Sequence, residues 1–343
     1  MTVLLILTIL ILTGIALWQI TKIFELSQLG QKKDDSQIAT EKDNDLNGKL
    51  MFAFLVFIYA VTIYSFWTYS KVLLPESASA HGPAYDTLLW ISFAVILFAQ
   101  TITQAVLHIF AYQYRGINNR KAYFFTHNNK LEFIWTIIPA ITLSGLVLYG
   151  LFVWNDVMDT SDAENPLIVE VYAKQFQWEA RYAGDDNELG LANVRNIKGI
   201  NTMGVDMTDK NALDDVPTRE LHLPKGRKVI FKFRSQDVLH SAYMPHFRAQ
   251  MNCVPGMVTE FSFTPSMTTE EMRANEKTIN KVEGINKIRA EKGEDPYVFD
   301  YLLLCNKICG ASHYNMQMKI IVEEKAQFNT WLAGQKTMAQ VVQ

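Results

Sequence analysis

The chain has 343 residues, a formal net charge of -3, three cysteines and an apolar share of 49%. That balance offers no basic field for nucleic acid, and three cysteines are too few for a disulfide framework. The apolar residues also come in blocks rather than spread through the chain: Met1 to Thr21, Leu50 to Ser70, Thr87 to Tyr114 and Phe133 to Asn155 contain no Asp, Glu, Lys or Arg. Each block is near the ~20 residues that cross a hydrocarbon core as a helix, so four transmembrane helices are expected.

Residues 1–24 form the first of these. The block lacks the basic start and small-residue cleavage signal of a secretory leader, so it is read as a retained helix. Residues 25–49 mix Lys32, Lys33, Asp34, Asp35, Glu41, Lys42, Asp43 and Asp45, a polar linker with nothing to pack. A second helix is expected over 50–74, and a transmembrane hairpin over 87–155. The loop inside that hairpin carries Arg115, Arg120, Lys121 and Lys130, whereas Val72 to Asp86 has no basic residue besides His81. The positive-inside rule puts the hairpin loop in the cytoplasm; four crossings then put both termini outside, with the C-terminal domain facing the periplasm. Gln100, Gln104 and His108 recur at four-residue spacing, a polar stripe expected to pack on a neighbouring helix. Glu132 opens the fourth helix, where the macrodipole favours a carboxylate, and Trp135 follows as an interfacial or packing aromatic.

Beyond Asn155 the period changes to two. Val229, Phe231 and Phe233 alternate with Lys228, Lys232 and Arg234, and Met316, Met318, Ile320 and Val322 alternate with Gln317, Lys319 and Glu323. Further strands are expected at Leu167 to Tyr182, Arg219 to Leu223, Met257 to Thr264 and Tyr297 to Leu304. Many short strands suggest a Greek-key β-sandwich over 156–325, with a helix or tail over 326–343. Two insertions interrupt it. Gly184 to Val216 is rich in Asp and reads as a solvated loop that could also steer a basic partner. Thr268 to Asp295 opens with the capping-box pattern Thr268-Thr269-Glu270-Glu271 and reads as a helical excursion. The aromatic run Tyr172 to Tyr182 reads as a strand with alternate aromatics in the core.

The chemistry lies near the end, in Cys305-Asn306-Lys307-Ile308-Cys309-Gly310-Ala311-Ser312-His313-Tyr314-Asn315-Met316. Two thiols, an imidazole and a thioether within twelve residues favour copper or zinc over hard cations. One loop can present both thiolates to a pair of metal ions, with His240 as the second imidazole and a weak axial ligand from Met316 or a backbone carbonyl. A closed Cys2His2 zinc site would use the same four strong ligands but has no use for the methionine. Cys253 is left over, a small apolar residue for the core.

This segment, with Asp237 to Ser241, resembles the CuA-binding subunit II of bacterial cytochrome c oxidase, of the haem-copper oxidase superfamily. The likeness runs from about Leu88 to Leu332. It implies a membrane-anchored cupredoxin whose binuclear copper centre, held by His240, Cys305, Cys309, His313, Met316 and the Lys307 carbonyl, takes electrons from cytochrome c or an attached haem domain. They pass to haem in subunit I for proton-pumping reduction of oxygen to water. The resemblance further implies that Glu132 guards the mouth of a proton channel in subunit I and that Phe176 and Trp178 form the aromatic patch that admits electrons. It also places a glutamate where this chain has Lys307 and an aspartate where it has Asn252. An ammonium has no lone pair, so the family's magnesium is expected to find no side-chain ligand on this subunit. The chain has no haem-attachment motif, and no haem is expected in it. The two N-terminal helices lie outside the likeness and suggest docking to a further complex, a respiratory supercomplex. Competing readings are a quinol oxidase subunit II, which would have lost the copper ligands, and a membrane-anchored copper or zinc protein without oxidase activity. Nitrous oxide reductase carries a similar centre but needs a second catalytic domain.

Overall fold

A computed structural model describes residues 2–29, 39–117, 120–121, 123–161 and 163–342. Its helices begin with α1 (Thr2–Leu29), α2 (Glu41–Leu73), α3 (Gly82–Gln113) and α4 (Asn129–Met158). Among the described residues α2, α3 and α4 are long and apolar enough to cross a membrane, and the chain itself buries almost none of their surface. Apolar side chains facing outward from such helices require lipid or other subunits. The described apolar stretch of α1, Leu7–Ile23, is shorter. The polar stretch expected as a linker is helical at both ends: 25–29 continue α1 and 41–49 form the first turns of α2. Its middle, 30–38, lies outside the described residues.

The chain divides into two units, Met1–Thr68 with Val95–Asn129, and Tyr69–Ala94 with Lys130–Gln343. In the first, α2 and α3 pack closely at Gly48, where a Cβ would meet Arg115 Cδ at 2.8 Å. Arg115 there pairs with Asp45 at 2.9 Å, and farther along Tyr59 Oη donates to the Thr101 carbonyl at 2.5 Å. His108 is buried, its Nδ1 lies 2.8 Å from the Gln104 carbonyl, and its ring sits 6.0 Å from that of Phe54 on α2. The polar stripe thus faces a helix at His108, as its spacing predicts.

The second unit carries a β-sandwich. Its strands are β1 (Leu167–Lys174), β2 (Gln177–Tyr182), β3 (Val216–Thr218), β4 (Leu221–Pro224), β5 (Val229–Ser235), β6 (His240–Met244), β7 (Ala249–Cys253), β8 (Thr259–Phe263), β9 (Tyr301–Cys305) and β10 (Gln317–Glu323). One sheet runs β3-β2-β1-β5-β8 and the other β4-β10-β9-β6-β7. Alternate residues point inward: Val229, Phe231 and Phe233 of β5, with Phe261 and Phe263 of β8, meet Leu303 of β9 and Met318, Ile320 and Val322 of β10. Each such buried side chain contributes roughly 1.5–3 kcal/mol, which is why the period-two pattern fixes register. Cys253 lies fully buried in this core.

Two expectations need amendment. The aromatic run is a hairpin rather than one strand: β1 and β2 pair antiparallel with Lys174 opposite Gln177, and Gln175 and Phe176 make the turn. The acidic insertion is not simply a solvated loop. Its Met203, Val205 and Ala212 are buried with Tyr172 on the outer face of β1. Its Asp215, also buried, accepts from Arg181, which in turn holds Glu170 at 2.5 Å. The Asp-rich composition concealed both the apolar anchors and a carboxylate whose partner lies 34 residues away.

The other insertion is helical as expected. Thr268 and Glu271 form the capping box of α5 (Thr269–Arg273), and Asn275 caps α6 (Glu276–Glu291). After β10 come α7 (Lys325–Ala333) and α8 (Met338–Val342). The link between α2 and α3 and the first turns of α3 are laced to the base of the sandwich. Ala78 N–H donates to the His246 carbonyl at 2.7 Å, Ser266 N–H to the Ala78 carbonyl at 2.8 Å, and Arg248 clasps Asp86 with Nε and Nη2 at 2.6 and 2.8 Å.

Candidate metal centre

The cysteine loop joins the antiparallel pair β9 and β10. Cys305 ends β9, and its N–H donates to the Met316 carbonyl at 3.1 Å, closing the loop at its base. On the other side of β9 lies β6, where Ala242 pairs with Cys305. That pairing brings His240, the first residue of β6, across to the loop from 65 residues away in sequence.

The donor atoms fall into two similar groups. Cys305 Sγ lies 3.8 Å from His240 Nδ1 and 3.2 Å from the Lys307 carbonyl oxygen. Cys309 Sγ lies 3.6 Å from His313 Nδ1 and 3.8 Å from Met316 Sδ. The sulfurs are 3.9 Å apart, so an ion with ordinary thiolate bonds of about 2.3 Å can touch both. Donor atoms of His240, Cys305 and Cys309 all lie within 4.8 Å of one another, a group to which His313 does not belong. Two soft sulfurs, two imidazoles, a thioether and one carbonyl fit copper, and no hard-cation chemistry.

The surroundings orient these donors. His240 is fully buried, and its Nε2 lies 2.9 Å from Asp237 Oδ1, which leaves Nδ1 facing the sulfurs. Such a carboxylate partner fixes the ring and raises its basicity toward a metal. Burial opposes the Asp237 charge, but N–H donors from Gln175 and Val238 together with the His240 ring hold its carboxyl below the usual range. Burial and the neighbouring Cys305 push the Cys309 thiol up to about 11, so a metal must displace a proton to bind there. Gln175 Nε2 donates to the Cys309 carbonyl.

The aromatic pair divides by depth. Trp178 is 3% exposed; its indole N–H donates to the Met316 carbonyl at 3.4 Å and its ring lies 6.2 Å from that of His240. Phe176 is partly exposed and lies over Gly310, where a Cβ would meet its ring at 2.8 Å. Sequence reading missed Ile308 and Tyr314, which are 87% and 88% exposed beside Cys309 and His313. Adjacency to Cys309 and His313 was the available signal. It also gave no role to Asp237, although the three-residue spacing from His240 was visible, and nothing in the sequence pointed to Gln175. Elsewhere, Glu132 stands in the first turn of α4 and is exposed, while Lys307 and Asn252 are both exposed side chains.

Fold and site together define a β-sandwich joined to helices long and apolar enough to cross a membrane, with a His240, Cys305 and Cys309 cluster that could hold a metal ion. Residues 68–153 match the family described as "Cytochrome C oxidase subunit II, transmembrane domain". The alternative cytochrome c oxidase subunit 2 of Bradyrhizobium diazoefficiens is 32% identical over 290 residues, covering 84% of this chain and 92% of that protein. The cytochrome c oxidase subunit 2 of Thermostichus vulcanus is 23% identical, covering 81% and 84%. Among solved structures, the periplasmic domain of subunit II of cytochrome oxidase of Bradyrhizobium japonicum aligns with 19% identity and a TM-score of 0.30, over 49% of this chain and 91% of that one. The chain belongs to the cytochrome c oxidase subunit II family.

Proposed function

We propose that His240, Cys305, Cys309, His313, Met316 and the Lys307 carbonyl hold a binuclear CuA centre. When bound, that centre supplies one-electron relay between a cytochrome c or an attached haem domain and haem in subunit I, where oxygen is reduced to water. The observation that carries this reading is the pairing of donors: each sulfur has its own imidazole and its own weak ligand, which a single tetrahedral zinc would not need. The retained ligands likewise speak against a quinol oxidase subunit. Metal analysis with electron spin resonance of the purified protein should find two coppers and a delocalised mixed-valence signal; one colourless zinc per chain would reject the assignment.

In the same reading the four helices cross a bacterial inner membrane and place the sandwich in the periplasm. Glu132 then stands at the cytoplasmic end of α4, at a proton-channel mouth of subunit I. Glu132→Gln should slow oxidase turnover and leave reduction of the copper centre unchanged; equal slowing of both would remove the proton role. Phe176, lying over the metal loop, and Trp178, lying between it and the core, are the route by which electrons enter. The exposed Lys307 ammonium cannot ligate magnesium, so manganese supplied during growth should give no bound-ion signal from this subunit. The α1 and α2 helices hold a neighbouring haem complex close to the site, a supercomplex in which the donor works at high effective concentration.

A further inference from the structure

Away from the metal, the turn between β4 and β5 places Lys225, Arg227 and Lys228 around one cleft of about 450 Å³, which Lys325 of α7 also lines. Glu164 is the carboxylate among its described lining residues. Lys225 is paired with Glu271 at 2.5 Å, but Arg227, Lys228 and Lys325 make no salt bridge among the described residues. Arg227 is instead aimed by neutral oxygens: its Nε donates to the Asn165 carbonyl at 2.9 Å and its Nη2 to Asn165 Oδ1 and the Pro166 carbonyl at 3.3 Å each. Lys228 donates to the carbonyl of Asp159, the first residue beyond α4. Ser262 Oγ meets the Val157 carbonyl inside the last turn of that helix at 2.8 Å. The cleft therefore opens beside the end of α4, a helix long and apolar enough to cross a membrane.

We infer that this cleft binds the phosphate headgroup of an anionic phospholipid from the leaflet on the sandwich side. A phosphodiester carries one delocalised negative charge, and a guanidinium with ammonium groups beside it is the set that recognises one. Location selects the lipid: the same cations high on the sandwich would meet only solvent anions, whereas here they sit within one side chain of the end of α4. The open space around Gly226, whose φ is +76°, leaves room for the headgroup at the turn.

The test is native mass spectrometry of the full chain in detergent, offered phosphatidylglycerol or phosphatidylcholine. Phosphatidylglycerol should be retained preferentially. Each neutralised cation should lower its retention about fivefold, the factor corresponding to ~1 kcal/mol per basic residue at an anionic surface. Arg227→Gln with Lys228→Gln should therefore cost about 25-fold by the same rule. Lys325→Gln, at an exposed helix position, supplies a second variant that leaves the turn intact. Equal retention of both lipids, or unchanged retention in both variants, would overturn the inference. So would displacement of phosphatidylglycerol by excess inorganic phosphate, which would mark a free-anion site. Loss of the lipid on assembly with the other oxidase subunits would show that the cations serve a protein contact and would overturn it too.

Discussion

The two imidazoles at the metal loop sit in different settings. His240 starts a strand in the middle of a sheet, is fully buried, leans on Asp237 and has the Trp178 ring beside it. His313 lies on a short 3-10 turn, His313–Asn315, is partly exposed, and adjoins the outermost aromatic of the loop, Tyr314. One half is built into the scaffold and the other into the surface. A relay needs both: a rigid side that fixes ligand geometry, and a side that a partner can reach.

The largest effect should come from removing what the halves share. In the proposed centre Cys305→Ser or Cys309→Ser takes away a bridging sulfur and should abolish the mixed-valence signal completely, read by electron spin resonance. A signal persisting in either variant would show that the sulfurs do not bridge. Next, Asp237→Asn should lower copper affinity about 10- to 100-fold, the usual cost of losing a carboxylate behind a ligating histidine. Tyr314→Ala, beside the other imidazole, should change it less than about twofold, since no orienting contact is lost. Equal losses in a chelator competition titration would erase the distinction between the halves.

A smaller effect tests the surface half. Ile308 is 87% exposed next to Cys309, and covering much of it in an encounter is worth ~1 kcal/mol, so Ile308→Ser should raise KM for the cytochrome donor about fivefold with kcat held. The smallest concerns Met316, the weak ligand of the proposed centre: Met316→Leu should keep both coppers and shift only the reduction potential, measured by spectroelectrochemistry. Loss of copper from that variant would make the thioether a structural ligand.

What the sequence made legible follows the same division. The apolar blocks announced the helices because a bilayer imposes length and composition on any segment that spans it. The Cys305 to Met316 spacing announced the loop because both thiols, His313 and Met316 are local. His240 was found by need of a second imidazole, and the β6–β9 pairing that brings it there is a long-range contact no local pattern encodes. Asp237 stayed hidden for a different reason, since a carboxylate before a histidine is common and acquires meaning only when the ring is held against metal donors. The buried Asp215–Arg181–Glu170 link was illegible because charge composition describes a segment and says nothing of which single carboxylate turns inward.

The lacing of residues 74–86 under the sandwich bears on how the domain can move. α4 enters the sandwich at one place, where Ser262 grips its last turn, and the chain from α2 to α3 is tied in at another by Ala78, Ser266 and the Arg248–Asp86 clasp. A body hung from one strap swings, whereas one hung from two resists rotation about either. Held at both places, the sandwich is restrained against rotation on the end of α4. Because electron tunnelling falls steeply with separation, a double suspension of this kind gives the relay one rate where a pendulum would give it a wide spread.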